Sequence, residues 1–263
     1  MPIFPIGVAN SVSANFQFDP LDTIEFARQG NFELLQIYLN APLLSEEATL
    51  QQVMAEITNF KALYFHAEGL LNEDFLNSDY RRQLYTFLKQ MDDPRYIIHF
   101  DERVNVDKLV NLVDSLNREG VKICVENYFL SEGKADAERN LKKYLALFTL
   151  SSNFGNPIYP VLDIPRIFNQ KLGFSLEEGL EWCYQILNFF GNRRIPMLLH
   201  LIDVSDPAQS RHHYTAVGSG CIPYEQIFHF IRKTRPLMAG AVLEFEDKIN
   251  PLHSREYIEK VFG

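Results

Sequence analysis

The chain is poor in cysteine: three in 263 residues (Cys124, Cys183 and Cys221), with no CxxC pair. An odd, scattered set excludes a disulfide frame and a zinc ribbon and reads as reduced thiols. Basic residues are also scarce, with 25 Lys and Arg against 34 Asp and Glu, a formal charge of −9. Clustered cations supply the phosphate-backbone affinity of nucleic-acid binders, so this balance disfavours nucleic acid as the main partner. No apolar run approaches the ~20 residues of a membrane span. The start, MPIFPIGVANS, has no basic segment before its short apolar stretch, so it does not read as a signal peptide. A GxGxxG turn is missing after the first apolar run, which removes the main sign of a dinucleotide fold. The expectation is a cytoplasmic protein that engages neither membrane nor nucleic acid.

What is present is regular. Hydrophobic residues make up 46% and charged residues 22%, ordinary values for a globular chain. Short β-rich runs fall at Ile3–Ala9, Glu33–Tyr38, Lys61–His66, Arg95–His99, Val121–Glu126, Ile158–Asp163, Ile195–Leu201 and Gly240–Phe245. Helical periodicity fills the intervals, near Pro20–Arg28, Glu46–Phe60, Glu73–Gln90, Asn105–Arg118, Lys134–Leu150, Ser175–Phe190, Tyr224–Lys233 and Ser254–Val261. Ser175 before Leu176-Glu177-Glu178 is a helix start, and Gly120 is a helix stop. Strand–helix alternation implies a parallel sheet with helical crossovers. Eight such units in ~250 residues make a closed (β/α)8 barrel, here one domain over residues 1–263.

The informative residues end the strands. Strand 3 finishes at His66, strand 4 at His99, strand 5 at Glu126, strand 6 at Asp163, strand 7 at His200 and strand 8 at Glu244, while strand 2 carries Gln36. Two residues earlier, on the same face of each strand, stand Tyr64, Ile97, Cys124, Val161, Leu198 and Val242, suitable fillers for a barrel interior. The polar set would then ring the C-terminal mouth, where barrel enzymes carry their chemistry. Carboxylates converging in a cavity repel one another unless a cation holds them, so Glu126, Asp163, His200 and Glu244 point to a divalent metal. Oxygen-rich ligands with one nitrogen suit Mn²⁺, Mg²⁺, Co²⁺ or a catalytic Zn²⁺. His66 and His99 are candidates either for a second ion or for hydrogen bonds to substrate. Tyr38, Phe100 and Phe129 are candidates for an apolar wall, with plain packing the competing reading.

These strand ends resemble the xylose-isomerase-like barrel superfamily of sugar isomerases, epimerases and AP-endonuclease-type enzymes. The resemblance rests on Glu126-Asn127 after strand 5, on Asp163 in strand 6, and on His200-Leu201-Ile202-Asp203 at strand 7. The turn Gly218-Ser219-Gly220-Cys221-Ile222 and Glu244 complete it. It implies one divalent cation on Glu126, Asp163, His200 and Glu244, with Glu126 and Glu244 exchanging the substrate proton. Arg166 stands where the superfamily carries histidine, Gln36 where many isomerases carry glutamate, and Ser210-Arg211-His212-His213 where repair enzymes carry Asp-Arg-His. Arg166, Arg211, His213, Gln36, His66 and His99 are candidate substrate-binding residues, and the Gly218–Gly220 turn a candidate anion nest. The expected function is a metal-dependent isomerase or epimerase of a small polyhydroxy compound, acting through an enediolate. The alternatives are a metal-dependent hydrolase or phosphoesterase, or a barrel that binds a ligand without catalysis. The resemblance leaves a homo-oligomer open.

Overall fold

Eight parallel strands close on themselves into a barrel: β1 (Ile6–Ala9), β2 (Leu34–Leu39), β3 (Ala62–Leu70), β4 (Arg95–His99), β5 (Lys122–Glu126), β6 (Ile158–Asp163), β7 (Met197–Leu201) and β8 (Met238–Leu243). The computed structural model describes residues 4–153, 155, 157–206 and 214–262. Sequential strands pair in order, and closure comes from β1 on β8, with Ile6 opposite Ala241 and Val8 opposite Leu243. None of the helices among the described residues is long and apolar enough to cross a membrane.

Inside the barrel lies a layer of Ala9, Leu34, Tyr64, Ile97, Cys124, Val161, Leu198 and Val242. It contains every filler expected from strand alternation. On the side where β1, β2 and β8 meet, Leu34 occupies space that two glycines vacate. A Cβ on Gly7 would lie 2.4 Å from Leu34, and one on Gly240 would lie 2.3 Å from it. Outside the barrel a larger core packs strand side chains against the helices, with Phe65, Phe100, Tyr144, Phe148, Phe190 and Phe228 fully buried.

The helices carry the expected caps. Ser175 and Glu178 form a reciprocal capping box at the helix Leu176–Arg193. Gly120 takes a φ of +80° after the helix Val106–Asn117, a conformation cheap only without a Cβ.

Three elements differ from expectation. The helix expected over Glu73–Gln90 is broken at Ser78, whose extended backbone lets its side chain cap Arg81 N–H as a new helix begins at Asp79. The last turn of the helix expected to reach Phe60 tightens into a 3₁₀ segment, Ile57–Asn59. Strand β3 continues past His66 to Leu70, because after an irregularity Leu70 pairs again with His99.

Candidate functional site

The C-terminal mouth is built by the ends of parallel strands, so residues distant in sequence meet there by register. His99 lies opposite Glu126 across β4 and β5, and Asp163 opposite His200 across β6 and β7. Glu126 is fully buried at the centre of the cluster. Its Oε2 lies 3.0 Å from His66 Nε2, 3.4 Å from His200 Nδ1 and 3.6 Å from His99 Nε2. Its Oε1 accepts a hydrogen bond from Arg166 Nε at 3.0 Å. Burial alone would raise this carboxyl, yet His99, His200 and Arg166 together hold it well below the usual carboxylate range.

Asp163 opens a one-turn helix after β6. Its Oδ1 accepts from Arg166 N–H at 3.1 Å, and its Oδ2 lies 2.5 Å from Arg166 Nε. Arg166 Nε therefore stands between the Glu126 and Asp163 carboxylates, and its guanidinium carbon sits 4.6 Å above the Tyr128 ring. Burial pushes Asp163 up to about 7, with Glu126 and Glu244 adding to the shift and Arg166 opposing it. Asn127 fixes this strand end by accepting from Asp163 N–H at 2.7 Å and donating to Asp163 C=O at 3.0 Å.

His200 is buried, and neither ring nitrogen finds an aligned hydrogen bond. Nδ1 nevertheless lies 3.2 Å from Glu244 Oε1 and 3.4 Å from Glu126 Oε2. Burial works against its charged form, but Glu244 and Glu126 outweigh that and lift it to about 9. Glu244 follows the last residue of β8, and Gln36 Nε2 donates to its Oε1 at 2.6 Å. Gln36 Oε1 is buried without a partner, an acceptor left for a hydroxyl or amine. Burial lowers His99 to about 3, so its imidazole is neutral. Its ring stacks on Tyr128 at 4.4 Å.

Two groups of ligand atoms lie within 4.8 Å of one another: Glu126 with Asp163 and His200, and Glu126 with His66 and His99. Glu244 lies beside the first group through His200. The donors fit a divalent cation on two counts. His200 holds ring nitrogens without aligned partners, and once deprotonated it leaves three carboxylates against the one cation of Arg166.

The mouth thus brings together Gln36, His66, His99, Glu126, Asp163, Arg166, His200 and Glu244. Arg211 and His213 lie outside the described residues. The Gly218–Gly220 turn is not an open anion nest. Asp203 Oδ2 accepts from Gly218 N–H at 3.0 Å and Gly220 N–H at 2.9 Å, and its Oδ1 accepts from Ile222 N–H at 3.2 Å. A Cβ on Gly220 would fall 2.2 Å from that carboxylate, which is why glycine stands there. Of the three candidate wall aromatics, Phe100 is core, edge-on to Tyr144, and Phe129 packs partly buried on the same core. Tyr38 lies at the mouth, 6.0 Å ring to ring from His66. Tyr128 also stands at the mouth, and its one mark in the sequence is its place two residues after the strand-5 glutamate.

This arrangement is a closed (β/α)8 barrel with a mouth lined by carboxylates and imidazoles. No family model matches the chain, and no curated protein matches it. Solved structures do. A xylose isomerase-like TIM barrel/4-hydroxyphenylpyruvate dioxygenase fusion protein aligns over 98% of this chain at 15% identity with a TM-score of 0.70, and the chain spans 43% of that protein's length. The probable 3-DHS dehydratase AsbF from Bacillus anthracis aligns over 97% of this chain and 99% of its own, at 13% identity and TM-score 0.65. IolI protein with a bound zinc atom aligns over 98% and 96%, at 13% identity and TM-score 0.64. An L-ribulose 3-epimerase aligns over 99% and 95%, at 12% identity and TM-score 0.60. Likeness at these identities establishes the fold.

Proposed function

We propose that the protein is a metal-dependent isomerase or epimerase of a small sugar, sugar phosphate or related polyhydroxy compound. The observation that carries this reading is the meeting of Glu126, Asp163, His200 and Glu244, one from the end of each of four consecutive strands, around an imidazole with no aligned hydrogen bond. The zinc in IolI and the epimerase chemistry of a barrel of the same fold support it. A divalent cation (Mn, Mg, Co or Zn) bound there would supply a Lewis acid for the negative charge that develops on substrate oxygen.

The remaining work falls to side chains. Glu126 and Glu244 both approach the same imidazole nitrogen, which supports reading them as the pair that exchanges the substrate proton. One removes the proton from the carbon beside the carbonyl, leaving an enediolate, and the other returns it. Gln36 Oε1, otherwise unpartnered, accepts from a substrate hydroxyl. Arg166, still charged between two carboxylates, presents its guanidinium to a hydroxyl or anionic group on the substrate. Tyr38 and Tyr128, against His66 and His99, give flat walls for the C–H faces of a sugar.

Deuterium exchange tests the reading. Mn²⁺-loaded protein incubated in D₂O with a panel of ketoses should introduce deuterium beside the carbonyl, and Glu126→Gln should lose at least about 10²-fold of that rate. Exchange into none of the panel by metal-loaded protein contradicts it. A second reading, a hydrolase with two ions sharing Glu126, is favoured by the His66–His99–Glu126 group. Two tightly bound ions per chain and phosphodiester cleavage would establish it instead.

A further inference from the structure

The barrel has a second opening, and it is not filled. At its N-terminal end a cavity of about 250 Å³ is lined by Arg95, Lys122, Tyr159, Pro196 and Ala239, and it reaches up to Tyr64, Cys124 and Leu198. The N-terminal face of such barrels normally serves stability, and their interiors are packed. Here the strand starts divide. On one side Gly7 and Gly240 let Leu34 close the space; on the other, long side chains with charged ends stand around a hollow.

The chemistry of the hollow is two-sided. Its inner wall is apolar: Leu198, the Tyr64 ring and the uncharged Cys124, whose thiol burial pushes up to about 12. Its rim is cationic. Arg95 and Lys122 both pair with Asp93, Lys122 at 2.5 Å, so two positive charges share one negative charge. Among the described residues no carboxylate lines the cavity itself. Tyr64 is only 2% exposed, and among the described residues its hydroxyl meets only Arg95 Nη1, at the long distance of 3.5 Å. A buried hydroxyl with so weak a partner leaves a hydrogen bond to be made.

We propose that this cavity binds a small aromatic monocarboxylate, with the carboxylate at Arg95 and Lys122 and the ring against Leu198 and Tyr64. The volume agrees, since an apolar cavity of ~150 Å³ holds benzene and the remaining ~100 Å³ accepts a carboxylate. The Arg95 guanidinium lies over the Tyr64 ring, 5.3 Å from its centre, so a cation and an aromatic ring already stand together at the rim. This site lies at the opposite end of the barrel from the metal-binding candidates and does not depend on the function proposed for them.

Titration calorimetry with sodium benzoate tests it. Wild type should bind one benzoate with a Kd of about 1 mM or tighter. Arg95→Met should weaken binding by about tenfold or more, and Leu198→Phe should abolish it by filling the hollow. Ala239→Leu fills the cavity from the rim and serves if Leu198→Phe does not fold. Arg166→Ala, at the other mouth, should leave benzoate affinity unchanged. The proposal is overturned by absence of binding at 10 times that concentration, by equal affinity in Arg95→Met and the filling variant, or by loss in Arg166→Ala. Inorganic phosphate binding as tightly as benzoate also overturns it, because the apolar wall would then contribute nothing.

Discussion

The same strands build two layers with opposite economies, two residues apart. Ala9, Leu34, Tyr64, Ile97, Cys124, Val161, Leu198 and Val242 form a mostly apolar layer across the barrel; His66, His99, Glu126, Asp163, His200 and Glu244 stand just above it. Both layers are largely buried, and Glu126 is as inaccessible as Ile97. In the lower layer burial is favourable, at about 25 cal/mol per Å² of apolar surface. In the upper layer burial is resisted. It lifts Asp163 to about 7 and forces His99 down to about 3. Depth alone therefore says nothing about contribution to stability. What distinguishes the layers is whether the buried groups are satisfied by the protein itself, and the unaligned nitrogens of His200 say that the upper one is not.

The largest effect separates the layers by sign. Ile97→Ala should destabilise the protein by about 2–5 kcal/mol in urea unfolding, the usual result of opening a cavity in a packed core. Asp163→Asn, which keeps the Oδ1 acceptor for Arg166 N–H, should do the reverse in metal-free protein at pH 8. It should raise stability by about 1–3 kcal/mol, because it removes a charge whose burial is opposed. At pH 4 the variant should match wild type, since Asp163 is already protonated there. Destabilisation by Asp163→Asn at pH 8 would mean that its pair with Arg166 outweighs the burial of its charge.

A smaller effect is the slope of stability with pH in metal-free protein. Asp163 has a raised folded value, so its stabilising protonation is full below its unfolded value of 3.8 and is lost as pH rises through about 7. His200, also raised, contributes fully below 6.5 and loses that contribution as pH rises through about 9. His99, lowered, acts oppositely: its contribution is present above 6.5 and lost as pH falls through about 3. Above pH 6.5 only the falling contributions remain. Metal-free protein should lose stability from pH 6.5 to 9, by up to about 3 kcal/mol from His200. Bound metal requires neutral His200 and ionised Asp163, so metal-loaded protein should show a flatter slope. Parallel slopes would place both titrations outside the metal's reach.

Of the eight residues of the lower layer, the six from β3 to β8 were legible in the sequence, because alternation along a strand fixes which side chains face inward; Ala9 on β1 and Leu34 on β2 are not among the fillers expected. The polar ring was legible for the same reason: each polar strand end stands two residues beyond a filler. What escaped was settled by contacts between distant segments. That Asp203 would take the amide groups of the Gly218–Gly220 turn depends on how the loop after β7 folds back, with Asp203–Val204 paired to Tyr214–Thr215. That β3 would resume pairing at Leu70 depends on His99, and that Arg166 would lie between Glu126 and Asp163 depends on the one-turn helix that follows β6. Tyr128 is not legible because a tyrosine in a loop has no pattern of its own until His99 and Arg166 lie against it.

The central claim is that the upper layer is completed by one divalent cation. Titration calorimetry with Mn²⁺, with elemental analysis of the product, tests it most directly on wild type and Glu244→Gln. The account predicts one ion per chain in wild type and affinity weaker by about 10–100-fold in Glu244→Gln, which keeps the shape but removes one ligand charge. Wild type that binds no ion, or Glu244→Gln that binds it as tightly, would contradict the account.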